Sequence, residues 1–148
     1  MAYQLLAGFS LGALLRKERK CACLTQAELA RRAGLAERTV RLLEQSGGNL
    51  GSWYAVLRVL GLEVAGRHLP SGDGKSFGQP LATLRSRRGL GVRELAQSVG
   101  VSPSPLVALE RDCGAGRLAT LERVLVVLGA GAYLAPRGRS KAFYSHWK

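Results

Sequence analysis

One pattern is spelled twice in this chain. Residues 24–44 read LTQAELARRAGLAERTVRLLE, and residues 90–110 read LGVRELAQSVGVSPSPLVALE. Glu28, Leu29, Ala30, Gly34, Leu43 and Glu44 recur as Glu94, Leu95, Ala96, Gly100, Leu109 and Glu110, each 66 positions on (44 to 110). An internal repeat of this kind limits the fold to two copies of one supersecondary unit. Within each copy the apolar residues fall at helical spacing, so the unit is two short helices separated by a glycine turn.

Helical signals extend the first copy in both directions. Leu11, Leu14, Leu15 and Glu18 predict a helix over about Ser10–Lys20. Thr25 with Glu28 three residues on has the form of a capping box for the next helix. Gly34 supplies a left-handed residue, a third helix starts near Ala36 and buries Val40 and Leu43, and a fourth runs over about Leu50–Leu60, turning Trp53, Val56, Leu57 and Leu60 inward. The second copy places Leu81 and Leu84, then Leu95 and Val99, then Leu106 and Leu109, then Leu121, Val124, Leu125 and Leu128 in the same roles. Lys20-Cys21-Ala22 reads as an insertion peculiar to the first copy. Glycine ends each fourth helix, and the alternation that follows near Leu62–Val64 and Ala130–Leu134 predicts a short strand.

The expected fold class is therefore all-α: two tandem helical bundles, each with a short β-strand after it. The domains expected are residues 1–66, a Gly/Pro/Ser-rich linker over 67–80, a second unit over 81–136 and a basic tail over 137–148.

A formal charge of +12 from 22 Lys/Arg against 10 Asp/Glu points to a polyanionic partner. Most of the cations are arginines, whose planar forks suit phosphates and base edges better than lysine does. No apolar run is long enough to span a membrane, and the positive cluster Arg16–Lys20 follows the apolar opening, the wrong order for a secretory signal. Three cysteines, Cys21, Cys23 and Cys113, give no disulfide framework, and a cytoplasmic protein is expected. Cys21-x-Cys23 lacks zinc-site spacing, and with two histidines, His68 and His146, no metal or other cofactor is expected. No nucleophile–base set or Gly-rich phosphate loop is present, so no enzyme is expected.

The string LTQAELARRAG-x5-V-x2-LE resembles the Cro/CI-like (XRE-type) helix-turn-helix family of transcriptional regulators, well over residues 10–64 and more weakly over 80–132. The resemblance implies a double-stranded DNA operator as partner, with the second helix of the motif in the major groove. Carried onto this sequence, Gln26 touches a phosphate or base, and Ala36, Glu37, Arg38 and Thr39 begin the recognition helix. Arg38, Arg41 and Gln45 share its outer face, where a guanidinium can take guanine O6 and N7 together. The resemblance also implies structural ion pairs, Arg16 with Glu44 and Arg85 with Glu110.

The second copy departs from the motif. Val92 replaces Gln26, and Pro103, Ser104, Pro105 and Val107 replace Glu37, Arg38, Thr39 and Arg41. Prolines at the first and third helical positions lose only amides without intrahelical partners, and Ser102 is placed to cap. Second-unit DNA contacts are expected at Arg93, Ser102, Ser104 and Arg111, with Arg85, Arg87 and Arg88 further phosphate candidates.

The function expected is a sequence-specific DNA-binding regulator, a repressor of a mobile-element or phage-like system. The expected assembly is a homodimer held by the second unit or the short strands, reading a palindrome with two first units. A single chain laying both units on adjacent half-sites is the other geometry. The alternative function is a protein-interaction module, an antitoxin or antiactivator, docking a protein partner through the second unit or the aromatic tail.

Overall fold

The computed structural model describes residues 10–69, 78–111 and 116–137. The centre of the linker, Cys113 and the tail with Phe143, Tyr144 and Trp147 lie outside the described residues.

The chain is mostly helical, with eight helices and one two-stranded antiparallel sheet among the described residues. The first unit comprises α1 (Leu11–Cys21), α2 (Gln26–Ala33), α3 (Glu37–Glu44), α4 (Leu50–Leu60) and β1 (Leu62–Gly66). The second comprises α5 (Gly78–Arg87), α6 (Val92–Val99), α7 (Pro103–Arg111), α8 (Leu118–Val127) and β2 (Ala132–Pro136).

Local chemistry sets most of these boundaries. Ser10 caps α1 by accepting from the Ala13 N–H. Thr25 and Glu28 form the expected capping box: the Glu28 N–H donates to Thr25 Oγ1 at 3.1 Å and the Thr25 N–H to Glu28 Oε1 at 3.3 Å. In the second unit Gly91 has no side chain to contribute, and only the return bond survives, from the Gly91 N–H to Glu94 Oε1 at 3.2 Å. Gly34 and Gly61 end α2 and α4 at φ +72° and +68°, a conformation glycine adopts without a Cβ penalty.

Each unit packs its helices around leucine-rich inner faces, and the two sets of buried side chains form one continuous cluster. Trp53 at the centre of α4 is fully buried, and Leu121 occupies the matching place in α8. Leu60, expected inside, is half-buried. Gly12 marks a close helix contact. A Cβ there would stand 2.4 Å from the Glu44 carbonyl oxygen and 2.6 Å from the Ser46 nitrogen, so only glycine lets α1 cross the end of α3 this closely.

The units join about an approximate two-fold axis within one chain. β1 and β2 pair antiparallel with Val64 opposite Leu134, the third residue of each strand. A second pairing sits at the starts of the fourth helices. Asn49, which caps α4, forms an isolated bridge with Arg117, its counterpart before α8. The bridge is reciprocal: the Leu50 N–H donates to the Gly116 carbonyl at 2.9 Å, and the Leu118 N–H to the Gly48 carbonyl at 3.0 Å. The strands expected to hold two copies together are thus paired with each other. Both extend further toward their C-terminal ends than expected, to Gly66 and Pro136.

One contact breaks the symmetry and ties the units further. Glu122 of α8 accepts from the Leu11 N–H at 2.7 Å and from Ser46 Oγ at 2.6 Å. Ser46 also lies 3.0 Å from Ser10 Oγ and accepts from the Gly12 N–H at 3.1 Å. A carboxylate is thereby set at the positive end of α1, where the helix dipole favours it. Ser46 sits at φ +63°, unusual for a residue with a side chain, and these bonds hold it there.

No helix among the described residues is long and apolar enough to cross a membrane.

Candidate nucleic-acid interface

The candidate surface is the outer face of α3. Val40 and Leu43 are fully buried and fix the helix by its inner side. That leaves Ala36, Glu37, Arg38, Arg41 and Gln45 exposed and Thr39 half-buried. Arg38, Thr39, Arg41 and Gln45 line one shallow depression, together with Leu42. Leu42, 47% exposed, is a large apolar side chain on that face which the motif alone does not single out. Its position four residues after Arg38 is the signal that could have found it, since residues four apart share a helix face. Among the described residues, ion pairs join Arg19 to Glu44 and Arg85 to Glu110, and no carboxylate engages Arg38 or Arg41.

The end of α3 is anchored from α1 and α2 together. Arg19 Nε donates to Glu44 Oε2 at 2.6 Å and Nη2 to Oε1 at 3.3 Å, while Nη1 reaches the Leu24 carbonyl at 2.8 Å. The expected partner of Glu44 was Arg16, and this is corrected: Arg16 is exposed, and the buried arginine is Arg19. Arg19 lies four residues after the fully buried Leu15, on the inner face of α1, whereas Arg16 follows Leu15 directly and stands off that face. The second unit repeats the clamp, with Arg85 Nε to Glu110 Oε2 at 2.6 Å, Nη2 to Oε1 at 3.1 Å, and Nη1 to the Leu90 carbonyl at 2.8 Å. The pairing with Glu110 holds the Arg85 pKa above its ordinary value against the opposing effect of burial. Arg19 and Arg85 are themselves 66 apart, as are Leu24 and Leu90, so Lys20-Cys21-Ala22 is not an insertion. α1 runs through Cys21, and the repeat keeps one spacing from first helix to third.

Gln26 is half-buried at the start of α2, and its Nε2 donates to Glu44 Oε1 at 3.0 Å, so the amide completes the clamp. Val92 takes its place in the second unit, half-buried against the core.

The second unit presents another surface at the corresponding place. Ser102, Pro103, Ser104, Pro105, Val107 and Arg111 are all exposed, Val107 at 43%. Arg93 and Arg87 are exposed as well. Arg85 and Arg88, two of the phosphate candidates, have intramolecular partners. Arg88 Nε donates to the Leu128 carbonyl at 3.0 Å, closing the end of α8. A groove beside α7 is lined by Val101, Pro105 and Leu109 from one side and Ala119, Arg117 and Arg123 from the other.

Among the described residues no three His, Cys, Asp or Glu side chains gather at a metal-binding distance. Cys21 and Cys23 are exposed free thiols. The α3 face therefore offers two guanidinium forks, a primary amide, a carboxylate and an apolar side chain on one rigid helix. Such a set can meet phosphates, base edges and a methyl group together. No family model, no curated protein and no solved structure matches the chain.

Proposed function

We propose that this protein is a sequence-specific double-stranded DNA-binding regulator that reads the major groove with α3. The observation that carries the reading is the contrast between the two sides of that helix. Val40 and Leu43 are buried and Glu44 is clamped, whereas Arg38, Arg41, Leu42 and Gln45 stand exposed with no carboxylate on either arginine among the described residues. Each four-helix bundle follows the order of a helix-turn-helix domain, and the second helix of such a motif is the one that enters the groove. Arg38 and Arg41 take guanine edges, Leu42 meets a thymine methyl, and Glu37 accepts from a cytosine amine or orients a neighbouring arginine. The net charge of +12 supplies the sequence-independent attraction. Occupancy of an operator by such a domain blocks transcription, which makes repression in a mobile-element or phage-like system the regulatory role proposed.

The test is selection of bound duplexes from a random pool, followed by titration of the selected site with wild type and with the Arg38→Ala/Arg41→Ala variant. Each bidentate arginine–guanine contact contributes about 1–3 kcal/mol of discrimination, so the variant should bind selected and scrambled duplexes almost equally. Undiminished preference in that variant overturns the reading.

A second reading, a protein-interaction module, is favoured by one feature: the apolar outer surface of α7 with Val107 and the adjoining groove. It predicts that Val107→Asp abolishes activity while the Arg38→Ala/Arg41→Ala variant retains it.

A further inference from the structure

The approximate two-fold axis bears on what a single chain can bind. β1 pairs with β2 about its middle residues, Val64 and Leu134. Asn49 pairs with its own counterpart Arg117, and the bonds on either side are reciprocal, Leu50 to Gly116 and Leu118 to Gly48. Glu122 reaches from α8 to the first turn of α1 and to Ser46, fixing one unit against the other. The pairings that would hold two identical subunits are made inside one chain, and α3 and α7 are equivalent helices across that axis. The two are not equivalent in chemistry. Glu37, Arg38, Thr39 and Arg41 in α3 stand where α7 has Pro103, Ser104, Pro105 and Val107.

We infer that one chain, without a second copy, covers both halves of its DNA site, and that the two halves are unlike: one specified by hydrogen bonds from α3, the other met by the apolar and hydroxyl face of α7. The inference rests on the reading of α3 as a groove reader. Two readers related by a two-fold axis meet successive major grooves about one helical turn, roughly 34 Å, apart on duplex DNA, and α7 is assigned to the groove next to that of α3. Val107 and the two prolines carry no polar group that discriminates bases by hydrogen bonding. They fit thymine methyls, and Ser104 and Arg111 add contacts to phosphates. The selected site is therefore an asymmetric element with one sharply defined half and one half that tolerates most changes except loss of its T-rich edge.

Two measurements on the full-length protein test this. Sedimentation of the protein with its selected duplex should give one chain per site. Scrambling the α3 half should weaken binding about 100-fold, and scrambling the α7 half by less than about 10-fold. The converting variant Pro103→Glu/Ser104→Arg/Pro105→Thr/Val107→Arg copies the α3 face onto exposed positions of α7. Selection with it should return an inverted repeat of the defined half. Two chains per site with a palindrome selected by wild type overturn the inference while the reading of α3 stands. A folded converting variant, checked by its melting curve, that selects the unchanged asymmetric site also overturns it, because α7 is then not in a groove. Failure to retain any duplex overturns both.

Discussion

Replacing Glu44 by alanine tests the clamp that sets α3 in place. The carboxylate takes three bonds, two from Arg19 and one from Gln26 Nε2. The side chains of Arg19 and Glu44 are only 10% and 5% exposed. In the Glu44→Ala variant the guanidinium keeps the Leu24 carbonyl but loses its counter-charge in a site where water reaches it poorly. Stranding a buried charge in this way costs about 3–5 kcal/mol. For a chain of this size 1 kcal/mol moves the midpoint by roughly 2–4 °C, so a fall in Tm on the order of 10 °C is expected by differential scanning calorimetry. Two comparisons sharpen the test. Glu110→Ala should cost less, about 2 kcal/mol, because that pair is 16% and 15% exposed and Val92 makes no third bond. The double variant Arg19→Met/Glu44→Leu should recover most of the loss, since removing both charges leaves neither stranded. A Glu44→Ala midpoint within about 2 °C of wild type, or one equal to that of Glu110→Ala, refutes the reasoning.

Other outcomes follow from the same geometry. Gly12→Ala drives a Cβ into the Glu44 carbonyl and the Ser46 amide, backbone atoms that cannot swing aside; a loss of about 1–3 kcal/mol in denaturant melts is expected, against near-neutrality for Ala13→Ser on the exposed side of the same turn. Glu122→Ala removes the acceptor shared by the Leu11 N–H and Ser46 Oγ, and faster amide exchange at Leu11 and Gly12 should report it. Thr25→Ala deletes the cap of α2, at about 1 kcal/mol. The Thr25 hydroxyl, then its backbone N–H, hold the Glu28 carboxyl below its ordinary pKa. That lowering stabilises the fold at pH above the unfolded carboxylate value and is lost as pH falls through the folded one. NMR titration should find the Glu28 pKa higher in Thr25→Ala, and an unchanged value would remove this account of the cap.

Elements fixed by neighbours within four residues are legible in the amino-acid sequence. The bounds of α4, the capping box at Thr25 and Glu28, and the left-handed Gly34 and Gly61 all follow from short-range hydrogen bonds and sterics. Strand existence is legible from alternation, but strand ends are not, because they depend on the partner's register. Which arginine meets Glu44 is written in the repeat, since Arg85 points back 66 positions to Arg19, yet helical spacing alone allows Arg16 as well.

The sequence by itself determined two copies of one helical unit, an exposed arginine face on α3 and its loss on α7, because amphipathic periodicity and residue type suffice for each. Only the tertiary structure decided that Gln26 donates to Glu44, that Gly12 admits the end of α3, that Glu122 reaches Leu11 and Ser46, and that β1 takes β2 as its partner. Those contacts join residues 18 to 111 positions apart. Nothing in the chain between such residues encodes their meeting; it is set when two cores close into one and buried polar groups must find partners among the groups packed against them.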